Sequence, residues 1–114
     1  LGAERYAKAL APLRALQPAY DQYDQAVAAA RKKDFATAKR LAAAAAAAVP
    51  REARFQQLLG DVAMTEKQPA RALLRYERAV SLDPGYFGAY LAGGVAHYQT
   101  GDRAKAKAWL EQSV

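Results

Sequence analysis

The chain has 114 residues, 17 lysines and arginines against 11 aspartates and glutamates, one histidine and no cysteine. Without cysteine there is neither a disulfide nor a thiolate metal site, and either cytoplasm or periplasm is compatible with that. The unbroken alanine run Ala42 to Ala48 is bracketed by Arg40 and Pro50, far short of the roughly 18 apolar residues of a membrane span.

The net charge is +6, and it divides as +2 over residues 1–18, +2 over 19–52, +1 over 53–86 and +1 over 87–114. A nucleic-acid interface needs its cations gathered on one face, so this even spread argues against nucleic acid as a partner. The tightest cluster, Arg31-Lys32-Lys33, falls at a helix end, where cations complement the helix dipole. No basic stretch followed by an apolar one opens the chain, so no secretory signal is read. The start at Leu1 leaves an excised leader or a larger parent open.

In chain order, residues 1–18 read as a leader helix, kinked or broken at Pro12, with Pro18 starting the next helix. Tyr20 to Lys32 is helical, with Tyr20, Tyr23, Val27 and Ala30 at 3.6-type spacing. Lys33-Asp34 makes a turn, and Phe35 to Val49 forms a second helix of high intrinsic propensity because alanine loses no side-chain entropy. Pro50 ends it. Glu52 to Glu66 is the next helix, Lys67-Gln68 the next turn, and Pro69 opens a helix to Leu82. Asp83-Pro84-Gly85 breaks the chain, Tyr86 to Thr100 is helical, Gly101-Asp102 turns, and Arg103 to Val114 closes the series. The predicted fold class is all-α.

These elements repeat. Pro50 and Pro84, Gly60 and Gly94, Ala38 and Ala72, and Ala45 and Ala79 each lie 34 residues apart. A fixed period of this size marks a solenoid of stacked helical hairpins. Small residues Ala26, Gly60 and Gly94, facing Ala38, Ala72 and Ala106, mark where each hairpin crosses. Bulkier Phe35, Leu59, Leu73, Tyr76, Leu82 and Leu110 fill the space around the crossings.

The pattern resembles the tetratricopeptide (TPR) repeat. Residues 53–86 carry it most fully, with Leu59-Gly60, Ala72, Tyr76, Ala79 and Pro84. Residues 87–114 carry Gly94, Gly101-Asp102, Ala106 and Leu110 but stop short of the closing proline, and residues 19–52 match more loosely. The resemblance implies a right-handed α-solenoid of three repeats at 19–52, 53–86 and 87–114, the third incomplete. Leu1, Tyr6, Leu10, Leu13 and Leu16 of the leader are then expected to cover the N-terminal end of the stack. At the other end Trp109, Leu110 and Val114 are expected to face a missing helix, so the chain reads as a piece of a longer protein or as one that self-associates there.

No catalytic motif appears. The single histidine, His97, is read as a core residue, Gly93-Gly94 lies mid-helix without a preceding strand, and Asp21 with Asp24 makes an incomplete oxygen shell for a cation. No enzyme activity, metal or cofactor is expected. The resemblance implies instead a non-catalytic module binding a protein or peptide in a concave groove. On this sequence the groove positions are Tyr20, Tyr23, Val27, Arg31, Arg54, Gln57, Asp61, Leu91, Val95, Tyr98 and Gln99. The clamp that some relatives use for acidic chaperone tails is missing, because Tyr23, Val27 and Leu58 stand where its lysine and asparagines would. A narrower similarity joins Pro50-Arg51-Glu52-Ala53-Arg54-Phe55, Gly60-Asp61, Tyr86-Phe87 and Gly101-Asp102-Arg103 to the C-terminal region of bacterial membrane-associated zinc metallopeptidases. It implies a periplasmic piece that docks on, or presents clients to, a catalytic domain outside this chain.

Overall fold

Each hairpin turn of this chain is the same backbone device, used three times. The computed structural model describes residues 2–114 as six helices: α1 Gly2–Arg31, α2 Phe35–Ala48, α3 Ala53–Thr65, α4 Pro69–Leu82, α5 Phe87–Gln99 and α6 Arg103–Gln112. No strand occurs among the described residues. Lys33, Lys67 and Gly101 all take the left-handed conformation, at φ 64°, 60° and 90°. The following N–H then reaches back five residues: Asp34 to the Ala29 carbonyl at 2.9 Å, Gln68 to Ala63 at 2.9 Å and Asp102 to His97 at 3.0 Å. These bonds satisfy carbonyls that a helix end otherwise leaves open. Asp34 and Asp102 next cap the following helices, accepting from the Thr37 and Lys105 amides at 3.2 and 3.1 Å. Gln68 makes no such bond, and Pro69 opens α4 in its place.

Only the third turn has the residue that this conformation favours. Lys33→Gly and Lys67→Gly are therefore each expected to raise stability by about 0.5–1 kcal/mol, the strain an L side chain carries there. The midpoint of urea unfolding reads this directly; an unchanged or lowered midpoint would contradict it.

Packing follows the stack. Helices pair as α1–α2, α3–α4 and α5–α6, with α2 against α3 and α4 against α5 joining the pairs. The buried apolar set is mostly alanine, and among the described residues the largest fully buried side chains are Phe55 and Tyr76. They belong to small clusters strung along the stack. The radius of gyration, 16.2 Å, exceeds the roughly 13 Å of a compact domain this long.

The crossings are refined in one respect. Ala38, Ala72 and Ala106 are buried as expected, but the glycines face larger partners. A Cβ at Gly60 would lie 2.5 Å from the Tyr76 ring, and one at Gly94 would lie 2.7 Å from Leu110 Cγ. Ala26 instead shares a cluster with the small Ala42. Residue size is balanced across each hairpin: glycine meets a large side chain, and alanine meets alanine.

Two expectations are overturned. The leader is not a separate helix: α1 runs unbroken through Pro12 and Pro18, and Ala19 is its first buried residue. The prolines leave the Lys8 and Arg14 carbonyls without their helical donors, and both residues are exposed, open to solvent that can donate instead. Nor does the leader cover the stack, since Tyr6 and Leu13 are 67% and 63% exposed; Leu1 lies outside the described residues. At the other end, Trp109 does not face a missing helix. It turns inward, its ring on Gly93 and edge-on to Tyr90 and His97 at 5.5 and 5.0 Å. Leu110 and Val114 do remain exposed.

Candidate functional site: the face of the first helices

The first helix of each hairpin supplies the predicted contact residues, and they fall into two regions. The first is an aromatic corner where α1 meets α3. Tyr20 and Tyr23 pack on Phe55 with ring centroids 5.0 and 5.1 Å apart. The Arg54 guanidinium lies 5.4 and 5.6 Å from the two tyrosine centroids. Its Nε donates to Glu52 Oε1 at 2.6 Å, while the Tyr20 hydroxyl donates to Glu52 Oε2 at 3.1 Å. Glu52 therefore holds both groups, and its charge answers that of Arg54. What this corner offers a partner is flat aromatic and guanidinium surface edged with donors, not a bare cation.

Burial raises the Tyr23 phenol above its ordinary value, partly offset by the Arg54 charge. Tyr86, at the start of α5, is pushed up to about 12, first by burial and then by Tyr23 and Asp61. Both remain protonated donors where a free tyrosine would ionise.

Asp61 lies behind the corner and is more structural than its sequence position suggested. Its Oδ1 accepts from the Tyr76 hydroxyl at 2.6 Å, and Tyr76 reaches it through the space left by Gly60. Burial raises the Asp61 carboxyl above the ordinary carboxylate value, with the Tyr76 bond acting against that rise. A half-buried carboxylate whose ionised form is disfavoured is ready to gain from a cation placed beside it. Gln57 is half-buried between α3 and α5, its Oε1 3.4 Å from where a Gly88 Cβ would stand. Arg31 and Gln99 are exposed at the last residues of α1 and α5.

The second region is one face of α5. Leu91, Val95 and Tyr98 are 54%, 42% and 61% exposed, and Phe87, which the sequence reading missed, joins them. Its signal was its spacing, one turn before Leu91. The matching residues of α1, Tyr23 and Val27, are half-buried against Leu58 and Leu59 of α3. The contrast has a simple cause: α3 covers that face of α1, whereas no helix of the described chain follows α6 to cover α5. Tyr98 continues the apolar strip onto α6, lining a shallow cleft with Ala106, Leu110 and Val114.

Catalytic parts are sparse here. His97 is 4% exposed, and its Nε2 is buried without a hydrogen-bond partner among the described residues. No group of three or more potential metal ligands is assembled among them. Asp21 accepts from Gln17 at 3.0 Å on an exposed face, and no described helix is long and apolar enough to cross a membrane.

Comparison with known proteins agrees with this architecture. The tetratricopeptide repeat family model matches residues 63–114. No curated protein matches the chain. Among solved structures, the second TPR of Spaghetti (RPAP3), bound to the HSP90 peptide SRMEEVD, is similar at TM-score 0.82 and 19% identity, over 86% of this chain and 91% of that one. The Sgt2 TPR domain from Aspergillus fumigatus is similar at TM-score 0.80 and 22% identity, over 83% and 63%. The Yersinia enterocolitica type III secretion chaperone SycD, in complex with a peptide of the translocator YopD, is similar at TM-score 0.78 and 18% identity, over 82% and 72%. The tetratricopeptide repeat is thus recognised over residues 63–114, and the fold of solved TPR domains extends over most of the chain.

Proposed function

We propose that this chain is a non-catalytic protein-interaction module that holds a peptide segment or partner domain on the face of α1, α3 and α5. The observation that carries this reading is the contiguous strip Phe87, Leu91, Val95 and Tyr98 beside the Tyr20–Tyr23–Arg54 corner. Apolar surface gathered on one face marks an interaction site, and tyrosine with arginine supplies most interface anchors. The solved peptide complexes of proteins with this fold support the same class of ligand. A chaperone-tail clamp is not part of the proposal, since Leu58 is buried and Tyr23 and Val27 are half-buried on Phe55 and Leu59. The weaker similarity to a metallopeptidase C-terminal region is compatible with this face docking on a catalytic domain outside the chain.

The test is affinity capture from the source cells with the native chain and with Tyr23→Ala combined with Arg54→Glu. The variant is expected to lose about tenfold or more in capture, the loss typical of two anchor residues, with its helix content unchanged. Equal capture would move the site off this face. Light scattering of the same samples separates partner binding from self-association through Leu110 and Val114, which predicts a mass rising with concentration.

A further inference from the structure

The opposite side of the chain, formed by the second helices, carries a charged recess that none of the preceding surfaces includes. It lies beside α4, with α3 and the loop between α2 and α3 as its other walls, and is lined by Pro50, Gln56, Arg71, Leu74, Arg75 and Arg78. Its volume is about 380 Å³. The segment-wise charge hides this feature: residues 53–86 total only +1, yet three of their five cations stand in one recess.

Arg71, Arg75 and Arg78 are one turn apart along α4, with Leu74, 67% exposed, among them. Two of the three guanidiniums are held by neutral acceptors. Arg75 Nη1 donates to Gln56 Oε1 at 3.2 Å, and Arg71 Nη1 donates to Gln68 Oε1 at 3.0 Å. Gln56 is 5% exposed, so its amide position is fixed by the α3 core and fixes Arg75 in turn. Three cations elsewhere differ in this respect. Lys39, Arg54 and Lys105 each sit within 4 Å of a carboxylate, on Glu66, Glu52 and Asp102. Among the described residues no carboxylate comes that close to the three arginines. Like charges one turn apart on a helix are mutually unfavourable, and Glu66, the carboxylate that lines the adjoining cleft with Arg71 and Arg75, pairs with Lys39 instead.

We infer that this recess is an anion-binding site for an acidic peptide segment, carried by Arg71, Arg75 and Arg78. Positioned guanidiniums retaining free N–H groups match carboxylates in pairs. The seven-residue step from Arg71 to Arg78 advances about 10 Å along the helix, which spans roughly three residues of extended peptide. Leu74 and Pro50 give that segment apolar ground between its charges. A nucleic acid is the less fitting occupant. No aromatic side chain lines the recess for base stacking, and three cations make a short phosphate footprint. Because the recess shares no residue with the α1–α3–α5 face, both surfaces can be filled together.

Fluorescence anisotropy with a labelled peptide of glutamates around a central leucine tests this. Saturable binding that weakens with added salt is expected, along with a loss of about tenfold in Arg75→Gln with Arg78→Gln, two charge-assisted contacts removed. Tyr98→Ala should bind the probe as the native chain does, and helix content should be native in both variants. Absence of saturable binding would overturn the proposal, as would equal affinity in the arginine variant or a loss shared by Tyr98→Ala. A single-stranded oligonucleotide of equal length binding more tightly than the peptide would overturn it in favour of nucleic acid.

Discussion

Gly93→Val is expected to lower stability by about 3 kcal/mol, the upper range for overpacking a filled site. A Cβ at this position would collide with the six-membered ring of Trp109. That ring cannot swing aside, because Tyr90 and His97 hold its edges at 5.5 and 5.0 Å and the Ala63–Tyr76 cluster lies against it. Two adjacent glycines inside a helix each forgo about 1 kcal/mol of helix propensity relative to alanine. The chain keeps Gly93 and Gly94 because Trp109 and Leu110 occupy their space. Thermal unfolding followed by circular dichroism should show a midpoint roughly 10 °C lower. A midpoint within a degree of the native one would mean that Trp109 is not seated on α5.

Tyr76→Phe is expected to cost about 1–3 kcal/mol at neutral pH, the range for stranding a buried acceptor. The fold loses only one oxygen, but that oxygen donates to Asp61 at 2.6 Å. The pH dependence has a definite sign. Burial raises the folded-state pKa of Asp61, so the folded chain binds this proton more readily than the unfolded one. Stability from this group therefore falls as pH rises through the ordinary carboxylate range, then stays level above the raised value. Removing the Tyr76 hydroxyl raises the carboxyl further, so the variant's deficit should shrink as the solution is acidified. Asp61→Asn, which can still accept from Tyr76, should be at least as stable as the native chain at pH 7. A Tyr76→Phe deficit unchanged between pH 7 and the carboxylate range would show that Asp61 is already water-satisfied.

The 34-residue period made the hairpins and their turns legible, because the same backbone requirement recurs at Lys33, Lys67 and Gly101. Five helices begin and end within two residues of their predicted limits. The leader was misjudged on its prolines. Pro12 and Pro18 weaken a helix, but both lie where α1 is solvated and water can serve the orphaned carbonyls, so the alanine-rich segment continues helical through them. Trp109 was misjudged for a different reason. A bulky residue near a chain end suggests an uncovered surface, but the glycine pair one helix earlier had already made room for it.

The candidate face was legible by position but not by role. Sequence spacing brought Tyr20, Tyr23 and Arg54 together, yet it gave no sign that Glu52 would neutralise Arg54 or that Tyr76 would engage Asp61. The arginine recess was illegible for a related reason: charge summed along the chain cannot tell a cation facing a carboxylate from one facing a buried amide.

The claim that a partner sits on the α1–α3–α5 face is tested most directly by placing a photo-crosslinking residue there. With the crosslinker at Leu91, irradiation in the presence of source-cell proteins should yield a discrete adduct, and the Tyr23→Ala, Arg54→Glu background should abolish it. The same crosslinker at Ala36, exposed on α2, should yield none. An adduct from Ala36 with none from Leu91 would contradict the account and place the partner on the second helices.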